Sequence, residues 1–391
     1  MTTLRPFHGI RSRLLSSRLY GATAIAACAC AFALVSAPAA HSQTQSAKLT
    51  APAATLAPVP DSPLEMVTQP ARVLTSQDER AAALALFEHA RQNLSLRNGV
   101  PAFQMKVSFM SSGQTQFEGD GSMEDISSGP RWRWTAQIGS SSQTHLSPGG
   151  GVVYSTNPHD PIPMRVQMVR SALFAPIAFN LGADVIRTAE VNRDGKELTC
   201  MLLSSSAPYP NAPRQWFETE YCMDADTGLL RTWSEAPGIY IDYNYADAIH
   251  FAGRTIPRDI TVTEGSEAIL QIHVNSLEPA IGLMPSMFEP TRSMLADGPA
   301  FVINGPRRFP LRADSAEEGE ATRVQPVIVH ATLSNTDGHV IEAEALPGSD
   351  AALAQEAVNL VEKTTFPANG MQQEVFVNVN YHVPQYSCRN R

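Results

Sequence analysis

Apolar and polar residues alternate with a period of two along most of this chain, and a helical period appears in only a few stretches. Phe103, Met105, Val107 and Phe109 alternate, and so do Trp132 and Trp134. Runs of strand character follow at residues 152–156, 185–191, 197–203, 216–223, 229–233, 240–245, 255–263 and 269–277. Asn192-Arg-Asp-Gly195 and Asp224-Ala-Asp-Thr-Gly228 are turn sequences between neighbouring runs. Many short strands joined by local turns predict an antiparallel meander. Before it, Ser76-Gln-Asp-Glu79 is a capping box, opening a helix to about Leu94 with Leu84, Phe87, Ala90 and Leu94 on one face; Asn98-Gly99 closes it. A second helical stretch, residues 165–174, interrupts the strands.

The pattern changes near the C-terminus. Val327 to Leu333 and Val340 to Leu346 read as strands around Asn335-Thr-Asp-Gly338, whose Asp-Gly pair suits a tight hairpin. Ser349 or Asp350 caps a helix to about Lys363, with Leu353, Ala357, Leu360 and Val361 as its apolar stripe. Phe366-Pro367 stops it. Gln373 to Val383 then alternates, with Val375, Val377, Val379, Tyr381 and Val383 on one face and Phe376, Asn378, Asn380 and His382 on the other. The order is strand, strand, helix, strand.

On the Asp337-Gly-His-Val340 turn, the Ala-rich helix 351–363, the Phe366-x-Ala-Asn-Gly370 step and the valine-rich last strand, residues 323–383 resemble the C-terminal domain of the TonB family. Thr364 departs from it, standing where the family usually carries a second aromatic. The resemblance implies protein–protein contact in a bacterial envelope by strand addition. The edge would be the last strand, with Val375, Phe376, Val377, Asn378, Val379, Asn380 and Tyr381 as contact residues, and an outer-membrane receptor as one candidate partner.

Residues 75–290 look like the LolA-like half-barrel group of lipoprotein carriers. The helix to Leu94, Phe251-Ala-Gly-Arg-Thr-Ile-Pro-Arg258 with the alternating strands after it, and Met287-Phe-Glu-Pro290 carry that likeness. It implies a concave apolar face for an acyl chain or an apolar segment of a partner. Trp132, Trp134, Trp216 and Trp233 either line that face or belong to a closed core.

The 391 residues are long enough for two domains. Arg5, Arg11, Arg13 and Arg18 precede an apolar run, residues 19–35, and Ala37-Pro-Ala-Ala40 offers small residues for cleavage. Residues 1–40 therefore read as an export signal. An uncleaved inner-membrane anchor, or a lipobox at Ile25-Ala-Ala-Cys28, are the alternatives, and all three put the body outside the cytoplasm. The net charge is -9, and the first forty residues hold four arginines and no acid. The remainder is more acidic still, which disfavours a nucleic-acid partner.

Between Cys200 and Cys222 the midpoint falls at Asn211 in a proline-rich loop. A hairpin closing there sets the two cysteines opposite each other, within reach of a disulfide; two buried thiols are the other reading. Cys388 is left over in the tail, residues 384–391. Residues 41–74 and 291–322 read as linkers, the second made acidic by Glu317-Glu-Gly-Glu320.

Catalytic signatures are missing: there is no G-x-S-x-G, H-E-x-x-H, C-x-x-C or phosphate loop. Asp224-x-Asp226-x-Gly228 is similar to a calcium loop but lacks its later ligands, and the ten histidines never cluster at ligand spacing. His159-Asp160, with His145 nearby in sequence, reads as a surface pair rather than an acid–base site. Gly149-Gly-Gly151 reads as a flexible turn.

The expected fold is α+β: a large antiparallel body of half-barrel type followed by a small ββαβ domain. The expected function is non-enzymatic, cofactor-free and metal-free partner binding by a periplasmic or secreted protein, with a link to outer-membrane transport. The competing reading is carriage of a lipid or lipoprotein.

Overall fold

Ser76 caps the first helix as its sequence predicts. Its hydroxyl accepts from Glu79 N at 3.1 Å, and Phe87, Ala90 and Leu94 are buried beneath α1 (Gln77–Leu94). The computed structural model describes residues 71–384, apart from 97–98, 114–117, 159, 175–184, 206–211, 213, 266, 300–305, 314–321, 369 and 371. The segment read as an export signal, most of the stretch read as the first linker, His159 and Cys388 lie outside the described residues.

In chain order the body contains β1 (Arg72–Val73), α1, β2 (Phe103–Ser111), β3 (Gly119–Ser128), β4 (Arg131–Ile138), β5 (Ser141–Ser147) and β6 (Val152–Ser155). Then follow α2 (Met164–Phe174), β7 (Val185–Arg193), β8 (Lys196–Ser204), β9 (Thr219–Asp224), β10 (Leu230–Ser234) and β11 (Ile239–Asn244). The small hairpin β12 (Ile249–Phe251) and β13 (Arg254–Ile256) precedes β14 (Asp259–Glu264), β15 (Glu267–Pro279) and β16 (Leu295–Pro299). The main sheet runs β1-β7-β8-β9-β10-β11-β14-β15-β2-β3-β4-β5-β6-β16, so sequence neighbours pair almost throughout. That is the meander the turns predict. Asp194 (φ 53°) and Gly195 (φ 76°) supply the left-handed pair for the β7–β8 turn.

Both helices lie on the sheet. Phe87 meets Tyr221 edge-on at 4.9 Å, and Tyr243 Oη donates to Ala172 O at 3.2 Å. Ten of the eleven α2 residues are buried, including Arg165 and Arg170. A helix covered on every side has no polar face to show in its sequence period.

The tryptophans belong to this packing. Trp134 is fully buried, stacked on His145 at 4.2 Å with the Arg170 guanidinium 4.5 Å from its ring centre. Trp132 lies under the same guanidinium, at 5.8 Å. Trp233 is buried and stacks against Tyr221, while Trp216 packs with Ala236, Ile239, Leu346 and Phe376. Of the two readings open for them, the packing matches the closed core. Trp132, Trp134 and Trp233 lie in or against the core cluster that α1 and α2 share with the main sheet, Trp216 packs in a second cluster, and none of the four borders the cavity described below.

Cys200 of β8 pairs with Cys222 of β9 in register, and the two are joined by a disulfide. The calcium-like loop is a turn that satisfies itself, with the Asp224 carboxylate accepting from Asp226 N, Thr227 N and Arg231.

The C-terminal part holds β17 (Arg307–Ala313), β18 (Thr322–Leu333), β19 (Val340–Ala345), α3 (Ala351–Glu362) and β20 (Gln373–Pro384). Asp350 caps α3, accepting from Ala352 N and Leu353 N, each at 3.1 Å. At the hairpin, Gly338 sits at φ 72° and its carbonyl accepts from Phe366 N at 3.0 Å; a Cβ there would overlap the Phe366 carbonyl.

Two expectations fail here. Residues 291–322 are not simply a spacer, because they supply β16 to the main sheet and β17 to the second. Consequently β20 is no edge. The second sheet runs β17-β20-β18-β19, with β17 parallel to β20 from Arg307↔Val375 to Ala313↔Tyr381 and β18 antiparallel on its other side. Val375, Phe376, Val377, Val379 and Tyr381 are buried, and Asn378 and Asn380 are half-buried. The reason is burial on both faces: the valines pack under α3 while Phe376 packs against the main sheet, which suits an interior strand. Pro310 hid β17 from a strand reading, yet an edge strand accommodates proline.

Replacing both Cys200 and Cys222 by Ser is expected to lower unfolding free energy by about 3 kcal/mol, for a loop of sequence separation 22. Urea titration of oxidised, reduced and mutant protein checks it; equal midpoints for all three would refute it.

Candidate functional site

The face of β18 turned away from α3 carries Ile328, His330 and Thr332, because Val327, Val329, Ala331 and Leu333 take the other face. His330 thus enters the seam between the two sheets, fully buried. Its Nδ1 lies 2.7 Å from Glu264 Oε1 at the end of β14, and its Nε2 lies 3.1 Å from Glu374 Oε1 of β20. Ser171 of α2 donates to Glu374 Oε2 at 3.0 Å. Beside them Arg165 forks onto Glu344 of β19, with Nη1–Oε1 at 2.6 Å and Nη2–Oε2 at 3.0 Å, and its Nη2 also reaches Ser112 O at 3.1 Å.

Helix α2 grips the second sheet by its N-terminus as well. Met164 N donates to Glu342 Oε2 at 3.1 Å, a carboxylate placed where the helix dipole favours it. The Gln372 side chain pairs with both backbone groups of Ile162. Arg308 of β17 makes a second set of contacts, donating to Glu235 O at 2.6 Å, Trp216 O at 3.3 Å and Thr219 Oγ1 at 3.1 Å.

Burial by itself would lower the His330 pKa, but the charges and hydrogen bonds of Glu264 and Glu374 outweigh it and raise it to about 10. Burial pushes Glu264 up, and the His330 charge and hydrogen bond, with Arg165, hold it below the usual carboxylate range. Glu344 is pushed up to about 7 by burial and by Glu264, against the pull of Arg165 and His330. At neutral pH the seam therefore holds an imidazolium between two carboxylates.

Glu264, His330 and Glu344 could bring one donor each within 4.8 Å for a metal ion. The chemistry argues against it. Both ring nitrogens of His330 are committed as donors, and the Arg165 guanidinium already sits on Glu344.

The seam opens into a cavity of about 420 Å³. Its walls include Glu264, Glu267 and Ile269 from the β14–β15 turn, Leu346 after β19, and Ala354 and Val358 of α3. Gly265, in that turn, has φ +60°, and a Cβ there would overlap the Pro347 carbonyl, so the cavity floor depends on a close backbone approach.

His145 offers a different geometry. Its Nε2 is 3.5 Å from Ser155 Oγ and its Nδ1 3.6 Å from Asp297 Oδ2, an outline similar to a nucleophile–base–acid arrangement. The details oppose that use. Nε2 lies nearer Gln143 Oε1, at 3.2 Å, and the Gln143 amide nitrogen is fixed by the carbonyls of Asp160 and Pro161, so Nε2 carries a proton and cannot take one from Ser155. Ser155 is fully buried. Burial, with Arg170, lowers the His145 pKa to about 3.

The residues singled out in the sequence are thus scattered or structural, and those that meet at the seam were missed. The separations explain why: His330 is 66 residues from Glu264, and Arg165 is 179 from Glu344. The one available signal was ionisable residues at inward positions of otherwise apolar segments, such as His330 within Val327–Leu333.

No family model matches the chain, and no curated protein matches it either. Among solved structures it is similar to a LolA superfamily protein from Nitrosomonas europaea, at 12% identity over 53% of this chain and 97% of that one, with a TM-score of 0.37. It is also similar to MucB, at 11% identity over 72% and 97%, TM-score 0.27. A third is the MucA/MucB complex of Pseudomonas aeruginosa, at 13% identity over 74% and 99%, TM-score 0.27. The TonB resemblance gains no support from them. At such TM-scores the likenesses carry no function across.

Stability should follow His330. Its pKa is higher folded than unfolded, so its contribution is complete below about pH 6.5 and is lost as pH rises toward about 10. His330→Gln is expected to cost about 3–5 kcal/mol near neutrality, since it strips the counter-charge from Glu264. Thermal unfolding between pH 7 and 10 checks this: the unaltered chain loses stability across the interval, and the variant starts lower with a shallower slope. Parallel curves would refute it. Gly265→Ala is expected to cost about 1–3 kcal/mol, read by the same unfolding assay; an unchanged midpoint would show that the turn relaxes freely.

Proposed function

We propose that this chain is an exported, non-enzymatic binding protein of the bacterial envelope, and that it takes an extended segment of another protein at the seam between its two sheets. The observation that carries the reading is the seam cavity, walled by apolar side chains and by carboxylates drawn from both sheets. Its volume of about 420 Å³ lies in the range of ligand-binding clefts. It borders β19, which ends the second sheet and has no strand neighbour on its outer side among the described residues. A guest in extended conformation can meet that edge with its main chain while a side chain enters the cavity. The strand-addition mode expected from the sequence thus moves from β20 to β19.

Lipid carriage is the less favoured reading. The apolar side of the main sheet is packed with the protein's own helices, and the accessible cavity presents Glu264, Glu267 and Glu344, which repel an anionic headgroup. Export is supported by the basic and then apolar N-terminal sequence and by the disulfide, which suits an oxidising compartment. Among the described residues no helix is long and apolar enough to cross a membrane. The buried, proton-committed state of His145 supports a role without catalysis.

Ala354 is half-buried on α3 at the cavity wall, and Ala354→Trp is expected to fill the cavity and abolish binding while leaving the fold intact. The probes are labelled extended decapeptides, alternating valine with serine, lysine or glutamate, and a fluorescent palmitate, all titrated by fluorescence anisotropy. Binding of a peptide that Ala354→Trp removes supports the reading. Binding of palmitate alone, indifferent to the substitution, would replace it with lipid carriage, and no binding of any probe would overturn it.

A further inference from the structure

Glu264 holds more acceptor capacity than its neighbours use. It is fully buried; its Oε1 engages His330, and its Oε2 meets no hydrogen-bond partner among the described residues. A bare carboxylate oxygen in a site removed from water is unfavourable unless a donor reaches it. Glu264 also lines the cavity. A donor arriving there therefore has an acceptor waiting.

The surrounding charges specify that donor. Glu264, Glu344 and Glu374 face Arg165 and His330, three acids against two bases, and Glu267 adds a fourth carboxylate on the cavity wall. The excess is negative; burial first, and the Glu264 charge after it, push Glu344 up to about 7. Ile269, Leu346 and Val358 make the rest of the wall apolar.

We propose that the seam cavity is a receptor for a primary ammonium or guanidinium group on an apolar stem, as on a lysine or arginine of a partner segment, with Glu264 Oε2 as its anchor. The cation makes a charge-assisted hydrogen bond to Oε2, and its methylene stem lies against Ile269, Leu346 and Val358. This deepens the seam reading and rests on it. A metal ion is a poorer fit, because it would need the ring nitrogen that His330 commits to Glu264. An anion would add to the negative excess.

The test uses the full chain and three probes of one length, hexylammonium, hexanol and hexanoate, titrated by calorimetry near neutral pH. Hexylammonium is expected to bind at least tenfold tighter than either of the others. Glu264→Gln should remove that preference and leave the hexanol affinity unchanged; should this variant not fold, the ranking on the unaltered chain decides alone. Hexanoate binding as tightly as hexylammonium, with Ala354→Trp abolishing both, would overturn the cation assignment while leaving the seam as the site. Absence of binding by all three, together with peptide binding that Ala354→Trp leaves intact, would overturn the seam reading as well.

Discussion

The imidazolium of His330, held between Glu264 and Glu374, is the contact on which the architecture turns. One carboxylate belongs to the main sheet and the other to the second sheet, so a single buried cation joins them. Buried charges hold only when paired and hydrogen-bonded, and removing one partner costs much more than an exposed pair contributes. Arg165 repeats the device from α2, reaching Glu344 across the same seam. Ionic contacts of this kind fix geometry more sharply than apolar packing, because each needs a particular partner at a particular distance.

The second sheet is accordingly no independent appendage. Its valine face packs under α3, and its other face is consumed by the main sheet through Phe376, Ile328, His330 and Arg308. Helix α2 completes the junction by reaching Glu342, Glu344 and Glu374, and Ile162 just before it pairs with Gln372. A seam clamped at several points holds its cavity in shape, which would reduce the ordering cost of the binding proposed there. Among the described residues β19, the outermost strand beside the cavity, has no strand on its outer side, as β17 has none at the other end of the sheet.

Much of the fold was legible in the sequence. The cap at Ser76, the turn at Asp194-Gly195, the order of strand, strand, helix and strand after residue 322, and the facing positions of Cys200 and Cys222 all follow from local rules: period, capping and turn chemistry. Among the strands that escaped notice, β3, β5 and β16 are rich in Gly, Ser, Thr or Pro and β17 carries three arginines and a proline, so their membership of a sheet is set by neighbours rather than by their own composition. The tryptophans were visible as large apolar residues, but whether they face a cleft or a helix depends on where α1 and α2 lie.

What the sequence settled by itself is therefore whatever depends on residues a few positions apart, above all the antiparallel meander and the α3 unit with its flanking strands. Tertiary structure alone decided that β20 is flanked on both sides, that β17 is a strand, and that five charged groups from five separate elements meet at one seam. The physical reason is range. Hydrogen-bond ladders and helical periods leave their mark in neighbouring residues, whereas pairing of buried charges such as Arg165 and Glu344 is written only in the distances that folding brings about.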